Sequence, residues 1–202
     1  MMLDTIVAIS IGIGLAAACG FRVFVPTLII GIAARADLLT LADGFQWMGS
    51  WLAIATFGTA TVLEVGAYYL PWLDNLLDTA STPLAIVAGV IVSAAFIQDM
   101  HPVLKWSLAV IAGGGAAGTI KAGLAGLRVG STLTTGGAAN PIVSTFEWVI
   151  AIAMSVLAIF LPIIAAVVAI ALVAFFVRFA YAFVVRRSKP DSKESPVTSG
   201  EA

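Results

Sequence analysis

Long apolar runs alternate with short polar segments along the chain, and this pattern predicts membrane-spanning helices. Six runs stand out, at roughly 5–33, 51–70, 81–98, 103–127, 142–161 and 163–185. A helix needs about 20 apolar residues to cross the hydrocarbon layer. The last two runs form one continuous apolar stretch, and we expect Pro162 to divide it into a tight hairpin because proline breaks helices. The pattern therefore predicts an all-α polytopic membrane protein with about six transmembrane helices.

Composition supports this fold class and removes several functions. The chain has 202 residues, of which 61% are hydrophobic and 10% charged, whereas a soluble domain contains about 25% charged residues. A formal net charge of −1 gives no reason to expect nucleic acid binding. The single cysteine, Cys19, excludes an intrachain disulfide and is expected to be a small residue in a packed helix. With one histidine as well, the chain is not expected to hold a metal.

The C-terminal end suggests an orientation. Basic residues gather at and after the last run, and they are Arg178, Arg186, Arg187, Lys189 and Lys193. The positive-inside rule places this end in the cytoplasm, and six crossings would place the N-terminus on the same side. We expect residues 1–185 to form one domain in the plasma membrane and the polar residues 186–202 to form a disordered basic tail.

A weak internal repeat relates the first and fourth runs. Residues 12–23 (GIGLAAACGFRV) and 118–129 (GTIKAGLAGLRV) share five identical positions of twelve, including Arg22 and Arg128. Thr61 and Ser144 also each precede a glutamate by one helical turn. Three spans separate the copies, so they would cross in opposite directions, as in transporters with 3+3 inverted repeats. The repeats would cover 1–100 and 101–185, although helices rich in small residues also match by chance.

Five ionisable residues fall inside or at the edge of the apolar runs, and they are Arg22, Glu64, Lys121, Arg128 and Glu147. An ionised group in hydrocarbon costs at least about 2.5–3.5 kcal/mol, so such groups face the protein interior or water and usually pair. Glu64 and Glu147 are natural partners for Arg22 and Arg128. Two interpretations stay open: structural salt bridges between helices, or a buried acid that takes up a proton or orients a substrate. Arg128 is also close enough to a span end to snorkel to the interface.

The polar segment 131–147 (STLTTGGAANPIVSTFE) lies between the fourth and fifth runs. Its Thr134-Thr135-Gly136-Gly137 turn is not a phosphate loop, because no lysine follows the glycines. Asn140 and Pro141 predict the start of a helix, since Asn is a favoured N-cap and Pro a favoured first helical residue. Ser144 and Glu147 would share one face of that helix. The segment is either a pocket for a small anion or polar group or an ordinary capped loop.

Asp74 and Asp78 lie in a segment bracketed by Pro71 and Pro83. Their spacing of four residues disfavours a helix, because like charges would repel there. They are either solvated loop acids or a cation site.

Together these residues resemble the bacterial membrane family catalogued as domain of unknown function 4126, over most of residues 5–165. The residues that carry the resemblance are Gly20-Phe21-Arg22, Glu64, Pro71, Asp74, Asp78, Lys121, Arg128, Thr134-Thr135-Gly136-Gly137, Asn140-Pro141, Ser144 and Glu147. Many members have an Asp-Lys pair where this chain has Tyr68-Tyr69, so ion-pair chemistry at that point is not carried over. The resemblance implies a multi-span fold and a shared polar constellation, but no activity.

The sequence favours a small transporter or channel-like protein for an anionic or zwitterionic solute, which a glutamate would couple to protons. The binding residues would be the five membrane charges, Thr134 to Gly137, Asn140 and Ser144. The alternative is a scaffold or lipid-binding protein with structural ion pairs, whose glycine-rich helix faces would form a homo-oligomer. We expect no enzymatic activity and no cofactor, because the chain contains no nucleophile–base pair and no cofactor motif.

Overall fold

The computed structural model describes residues 2–66, 71–98, 100–136 and 140–187, and these ranges contain helices and no strands. The helices are α1 (Met2–Phe21), α2 (Phe24–Arg35), α3 (Trp51–Gly66), α4 (Pro71–Phe96), α5 (Pro102–Leu108), α6 (Gly115–Thr135), α7 (Asn140–Phe160) and α8 (Pro162–Arg187). A short 3-10 helix precedes α3 at Gln46–Gly49, and a π-helical segment, Ala109–Gly114, joins α5 to α6.

Within the described residues, four helical stretches are long and apolar enough to cross a membrane: Leu3–Phe21, Pro102–Thr134, Ile142–Phe160 and Pro162–Ala182. Shorter apolar helices cover Phe24–Arg35, Trp51–Gly66 and Ala80–Phe96. The architecture is therefore that of a helical membrane protein, as predicted.

The first predicted span, 5–33, is wrong as a single helix, because the chain breaks at Arg22 and Val23. The Arg22 N–H still donates to the Ala18 carbonyl, at 3.1 Å, and this bond closes α1. A continued helix would need an N–H at Pro26 to bond the Arg22 carbonyl. Proline has no N–H and its ring would clash with that carbonyl. In the first turn of a new helix, the missing N–H of Pro26 does not remove a hydrogen bond. The backbone N–H groups of a first turn have no carbonyl acceptor within their own helix.

After the break, α2 runs back along the bundle. A Cβ on Gly12 of α1 would lie 3.3 Å from the Ser93 carbonyl oxygen, so the middle of α1 is beside the end of α4. The Ala42 N–H donates to the Ala95 carbonyl at 2.8 Å, which holds the segment after α2 at that same end. If α2 continued in the direction of α1 as one straight helix, Arg35 would lie about 35 Å from Gly12 along the helix axis. The residues from 35 to 42 extend over at most about 25 Å, so α1 and α2 form a V whose apex is Arg22-Val23.

The remaining helices alternate in direction around α1. Gly14 lies against Ala158 and Ala165, the last turn of α7 and the first of α8. This confirms the predicted hairpin at Pro162 and places it beside the middle of α1, with α7 and α8 both leading from it toward the Arg22 end. Because α8 then runs parallel to α1, the start of α1 and the end of α8 lie at opposite ends of the bundle. Six alternating spans would have put them at the same end, and the unforeseen return of α2 is the physical reason for the difference.

Small residues let the helices approach closely in the centre of the bundle. Residues 15–19 of α1, including Cys19, are fully buried, as expected for a small residue in a packed helix. A Cβ on Gly20 would lie 2.7 Å from the Ala117 carbonyl oxygen, so α1 and α6 touch through their backbones there. Gly89 and Gly113 bring α4 and the π-helical segment into similar contact. This packing places the end of α1 beside α6 and α7.

Two further expectations change at the ends of the helices. The segment 71–83 is not a loop, since its backbone belongs to α4. The side chains of Asp74 and Asp78 lie outside the described residues. Arg186 and Arg187 end α8 rather than beginning a disordered tail, and residues 188–202 lie outside the described part of the chain.

Candidate functional site

The structure brings together all five predicted membrane charges at the apex of the V. We refer to Arg22, Glu64, Lys121, Arg128 and Glu147 as the charge cluster. Four of them are buried, and the Arg128 side chain is 13% exposed. The apex contributes Arg22, α3 contributes Glu64, α6 the two other cations and α7 the second acid. The cluster thus connects four parts of the bundle.

Glu147 is the point at which the two arginines meet. Its Oε2 lies 2.8 Å from Nη2 of Arg22 and 2.6 Å from Nη2 of Arg128. Its Oε1 accepts a hydrogen bond of 3.0 Å from Nε of Arg128. A two-point pair of this kind is among the strongest side-chain interactions, because both partners are charged and planar. Glu147 therefore holds α6 and the apex of the V against α7.

Ser144, one turn before Glu147 on α7, also contacts Arg128. Its Oγ accepts a hydrogen bond of 3.3 Å from Nη2 of Arg128, and the residue is buried. Ser144 and Glu147 therefore share one helical face, which confirms the prediction. Arg128 turns toward the protein interior rather than snorkelling, because these two partners lie there.

Glu64 is held more loosely than Glu147. Its Oε1 lies 3.7 Å from Nη1 of Arg22, and Lys121 also acts on it electrostatically. The backbone N–H groups of Val23 and Phe24 face the carboxylate. These N–H groups are at the start of α2, where the helix dipole is positive. The carboxyl group of Glu64 therefore lies at a helix N-terminus.

One edge of the Glu64 site has unsatisfied polar atoms. Among the described residues, Oε2 of Glu64 and Oγ1 of Thr61 are buried without hydrogen-bond partners. Buried polar atoms normally have partners, and exceptions point to strain, a functional role or an absent molecule. The two residues are one turn apart on α3, so the unsatisfied atoms belong to the same helical face.

Residues 9–182 match a family model described as domain of unknown function (DUF4126). The chain belongs to this family. No curated protein and no solved structure matches the chain. The region shared with the family contains the whole charge cluster together with Thr61 and Ser144. Membership in domain of unknown function 4126 assigns no activity, so the function is argued from the site.

The predicted Thr134 to Gly137 turn is wrong in its first half. α6 continues through Thr134 and Thr135, and the Thr134 hydroxyl donates to the Gly130 carbonyl of its own helix at 2.9 Å. Gly136 follows in the left-handed conformation, with φ +63°, which commonly ends helices. Gly137 lies outside the described residues. Ser144 and Glu147 of α7 supply the described contacts of Arg128.

Asn140 begins α7, as its capping preference predicted, and its side chain lies outside the described residues. The N–H groups of Val23 and Phe24 are site components that the sequence interpretation missed. The signal for them was Pro26, which fits a first helical turn and not the middle of a span. This proline would have indicated a helix start beside Arg22.

Proposed function

We propose that the protein is a small transporter or channel-like protein for a small anionic or zwitterionic solute, with the charge cluster as its binding site. The observation that carries this proposal is a buried cluster of three cations and two acids at a broken helix in a membrane protein. Its formal charge of +1 when all five groups are ionised favours an anionic partner.

Energetics support a functional role for these charges. Buried ion pairs often add no stability compared with apolar residues of similar size, because removing charges from water costs several kcal/mol per ion. Stability alone therefore gives little reason to bury five ionisable groups in this bundle. Ionisable residues within membrane segments usually mark solute or proton pathways.

The broken helix supports the same conclusion. Transporters commonly bind the anionic group of a substrate at the N-terminus of a discontinuous membrane helix. Here α2 begins beside Arg22, with the N–H groups of Val23 and Phe24 directed at a carboxylate. The site therefore already places a carboxyl group, that of Glu64, at the start of a membrane helix.

We further propose an orientation in the bacterial inner membrane. The basic end of α8 would face the cytoplasm. The start of α1 would then face the opposite side, since the two lie at opposite ends of the bundle. The predicted inverted relation between the two repeats is wrong, because α6 runs parallel to α1: Gly12 and Gly113 both lie beside Ser93, and Gly20 lies beside Ala117. Arg22 and Arg128 still occupy matching repeat positions, and both bind Glu147. The chain breaks at Arg22 but stays helical at Arg128.

Flux through liposomes containing the purified protein tests the proposal. Chloride, pyruvate and glycine serve as probes of inorganic, carboxylate and zwitterionic solutes. We expect flux of at least one of them, and Glu147→Gln should reduce it at least tenfold. Asp43→Asn is the matched control, because Asp43 is an exposed acid outside the cluster. Absence of flux for all three probes, in a protein that remains folded, would contradict the proposal.

A second candidate is a membrane scaffold or lipid-binding protein. The observation in its favour is that both Glu147 oxygens are bound and that the cluster is mostly buried in this state. In that case the wild-type protein should move none of the probes, and Glu147→Gln should release a co-purifying partner.

A further inference from the structure

The two acids of the charge cluster differ in how firmly their charges are held. Glu147 has both oxygens within 3.0 Å of arginine nitrogens. Glu64 has one oxygen 3.7 Å from Arg22 and a second, buried oxygen with no hydrogen-bond partner among the described residues. The unequal contacts suggest unequal roles, with Glu147 as the fixed acid.

We propose that Glu64 is a proton-binding residue that alternates with the carboxylate of a solute at the start of α2, so that one proton and one small monocarboxylate bind together. This inference rests on the proposed function and names its solute class and coupling ion. It adds a site, formed by Val23, Phe24, Arg22 and Lys121, at which the ionised Glu64 is the resident anion.

The groups around Glu64 are those that bind a carboxylate. The N–H groups of Val23 and Phe24 lie at the start of a twelve-residue helix, and Arg22 and Lys121 add positive charge. A second observation also indicates a binding site here. Glu64 is only 9% exposed, and its Oε2 has no hydrogen-bond partner among the described residues. A solute carboxylate in the same place would meet the same donors, so the charge of the site would be unchanged by the exchange.

A proton allows the exchange. When Oε2 of Glu64 takes up a proton, its carboxyl group becomes neutral and loses most of its attraction to Arg22, Lys121 and the helix N-terminus. The new O–H requires an acceptor, and Thr61 Oγ1 is a buried oxygen on the same face of α3. The proton adds one positive charge and the solute one negative charge, so the pair enters without a net change of charge.

The groups that face Glu64 fix the direction of this coupling. They are Arg22 at the apex, Lys121 on α6 and the Cys19 thiol on α1, and Glu147 acts through Arg22. Arg22 and Lys121 attract the Glu64 carboxylate, and a solute carboxylate that takes its place would take over these contacts. Solute binding should therefore drive proton uptake.

The packing of α3, the helix that carries Glu64, would allow Glu64 to move away from the start of α2. Among the residues of α3 whose side chains are described, only Ala53 and Glu64 are buried. The helix is paired with α2 through contacts such as Gly31 with Ile54. Few other buried contacts must break when Glu64 leaves the start of α2.

Proton uptake by purified protein in weakly buffered detergent solution tests the inference, with sodium pyruvate as the probe. At pH values where Glu64 of the free protein is ionised, we expect one proton to be taken up for each pyruvate bound. In this range the affinity for pyruvate should fall roughly tenfold for each unit by which the pH is raised. A protonated carboxyl band should appear in infrared difference spectra on binding. Glu64→Gln, which resembles the protonated residue in shape and charge, should bind pyruvate without proton uptake, without that band and with an affinity independent of pH.

Two hydroxyl variants of α3 provide a matched pair that does not remove a charge. Thr61→Val should weaken the proton-coupled binding several-fold, because the protonated Glu64 loses its acceptor. Thr59→Val should leave it unchanged, because the exposed Thr59 hydroxyl bonds only to the Ala55 carbonyl of its own helix among the described contacts. Equal effects of the two substitutions would contradict the role of Thr61.

The outcomes separate this inference from the proposed function. Flux of chloride or glycine without pyruvate binding, or pyruvate binding without proton uptake, would overturn the inference and leave the proposed function intact. Pyruvate binding with proton uptake but no flux of any probe would support the site and contradict transport. The same pH dependence in Glu64→Gln as in the wild type would assign the proton to another group and overturn the inference.

Discussion

At the scale of single residues, Glu147 decides whether the arginines of the cluster are tolerated in the bundle. Two guanidinium groups contact one of its oxygens, and one of them also contacts the other. Arginine does not lose its proton in proteins, so it cannot become neutral when its partner is removed. The stability of the folded protein therefore depends more on Glu147 than on Glu64.

Glu147→Gln is expected to lower the free energy of unfolding by about 3–5 kcal/mol, because it leaves the buried Arg22 and the partly buried Arg128 without their main acid. Glu64→Gln should lower it by less, since the Arg22–Glu64 ion pair is longer, at 3.7 Å, than the contacts of Glu147. Chemical unfolding of the purified protein in detergent, followed by circular dichroism, measures both changes. Equal losses for the two variants would mean that the observed contacts do not set the energetics.

Arg128→Lys tests the geometry of the pair while keeping the charge. A lysine cannot reproduce the two parallel contacts with Glu147 and the contact with Ser144. We expect a loss of unfolding free energy of about 1.5–3 kcal/mol, the range for hydrogen bonds to charged groups. Ser144→Ala should cost about 1 kcal/mol by the same measurement, since it removes one longer hydrogen bond. A fully stable Arg128→Lys protein would show that charge alone is sufficient.

At the scale of helices, the closeness of α1 and α6 depends on Gly20. A Cβ there would lie 2.7 Å from the Ala117 carbonyl oxygen and 2.8 Å from Cβ of Ile120, whereas a Cβ on Gly126 would meet nothing within 4 Å. The two glycines occupy matching positions of the predicted repeat. Their surroundings differ because one helix is central and the other is open at that point.

Gly20→Ala is therefore expected to destabilise the protein by about 1–3 kcal/mol, the usual cost of overpacking. Gly126→Ala should be neutral or stabilise it by up to about 1 kcal/mol, because alanine favours a helix more than glycine does. Melting temperatures of the two variants in the same detergent give the comparison. A stable Gly20→Ala protein would contradict the close contact between α1 and α6.

The sequence predicted the helical class, the hairpin at Pro162, the start of α7 and the partners of the two glutamates. These features follow from local rules: hydropathy, helix capping and the cost of unpaired charge in a membrane. The direction of α2 did not follow from them, because hydropathy cannot distinguish a straight span from a V of two apolar helices. The Thr134 to Gly137 turn was wrong because polar residues also fit the exposed last turn of a helix.

At the scale of the whole molecule, the return of α2 places the start of α1 and the end of α8 at opposite ends of the bundle. The segment after α2 is held near the start of α1 by the Ala42–Ala95 hydrogen bond. The last turn of α6 lies at the other end, since α6 runs parallel to α1. These two exposed regions should therefore lie on opposite sides of the membrane.

Cysteine labelling in whole cells checks this arrangement. Asp43→Cys and Thr134→Cys should react with a membrane-impermeant maleimide from opposite sides, because both positions are exposed at opposite ends of the bundle. The only natural cysteine, Cys19, is buried and should give no background. Labelling of both positions from the same side would contradict the V formed by α1 and α2.

The π-helical segment Ala109–Gly114 determines which side of α6 faces the other helices, because it precedes α6 in the same span. A π-helical turn holds an additional residue compared with an α-helical turn. Each residue of an α-helix turns the chain by about 100°. Deleting one residue here would rotate Lys121 and Arg128 by about that angle, away from the acids they now face. The π-helical turn therefore sets the angle, about the helix axis, between the side chains of α5, such as Trp106, and the two cations Lys121 and Arg128 of α6.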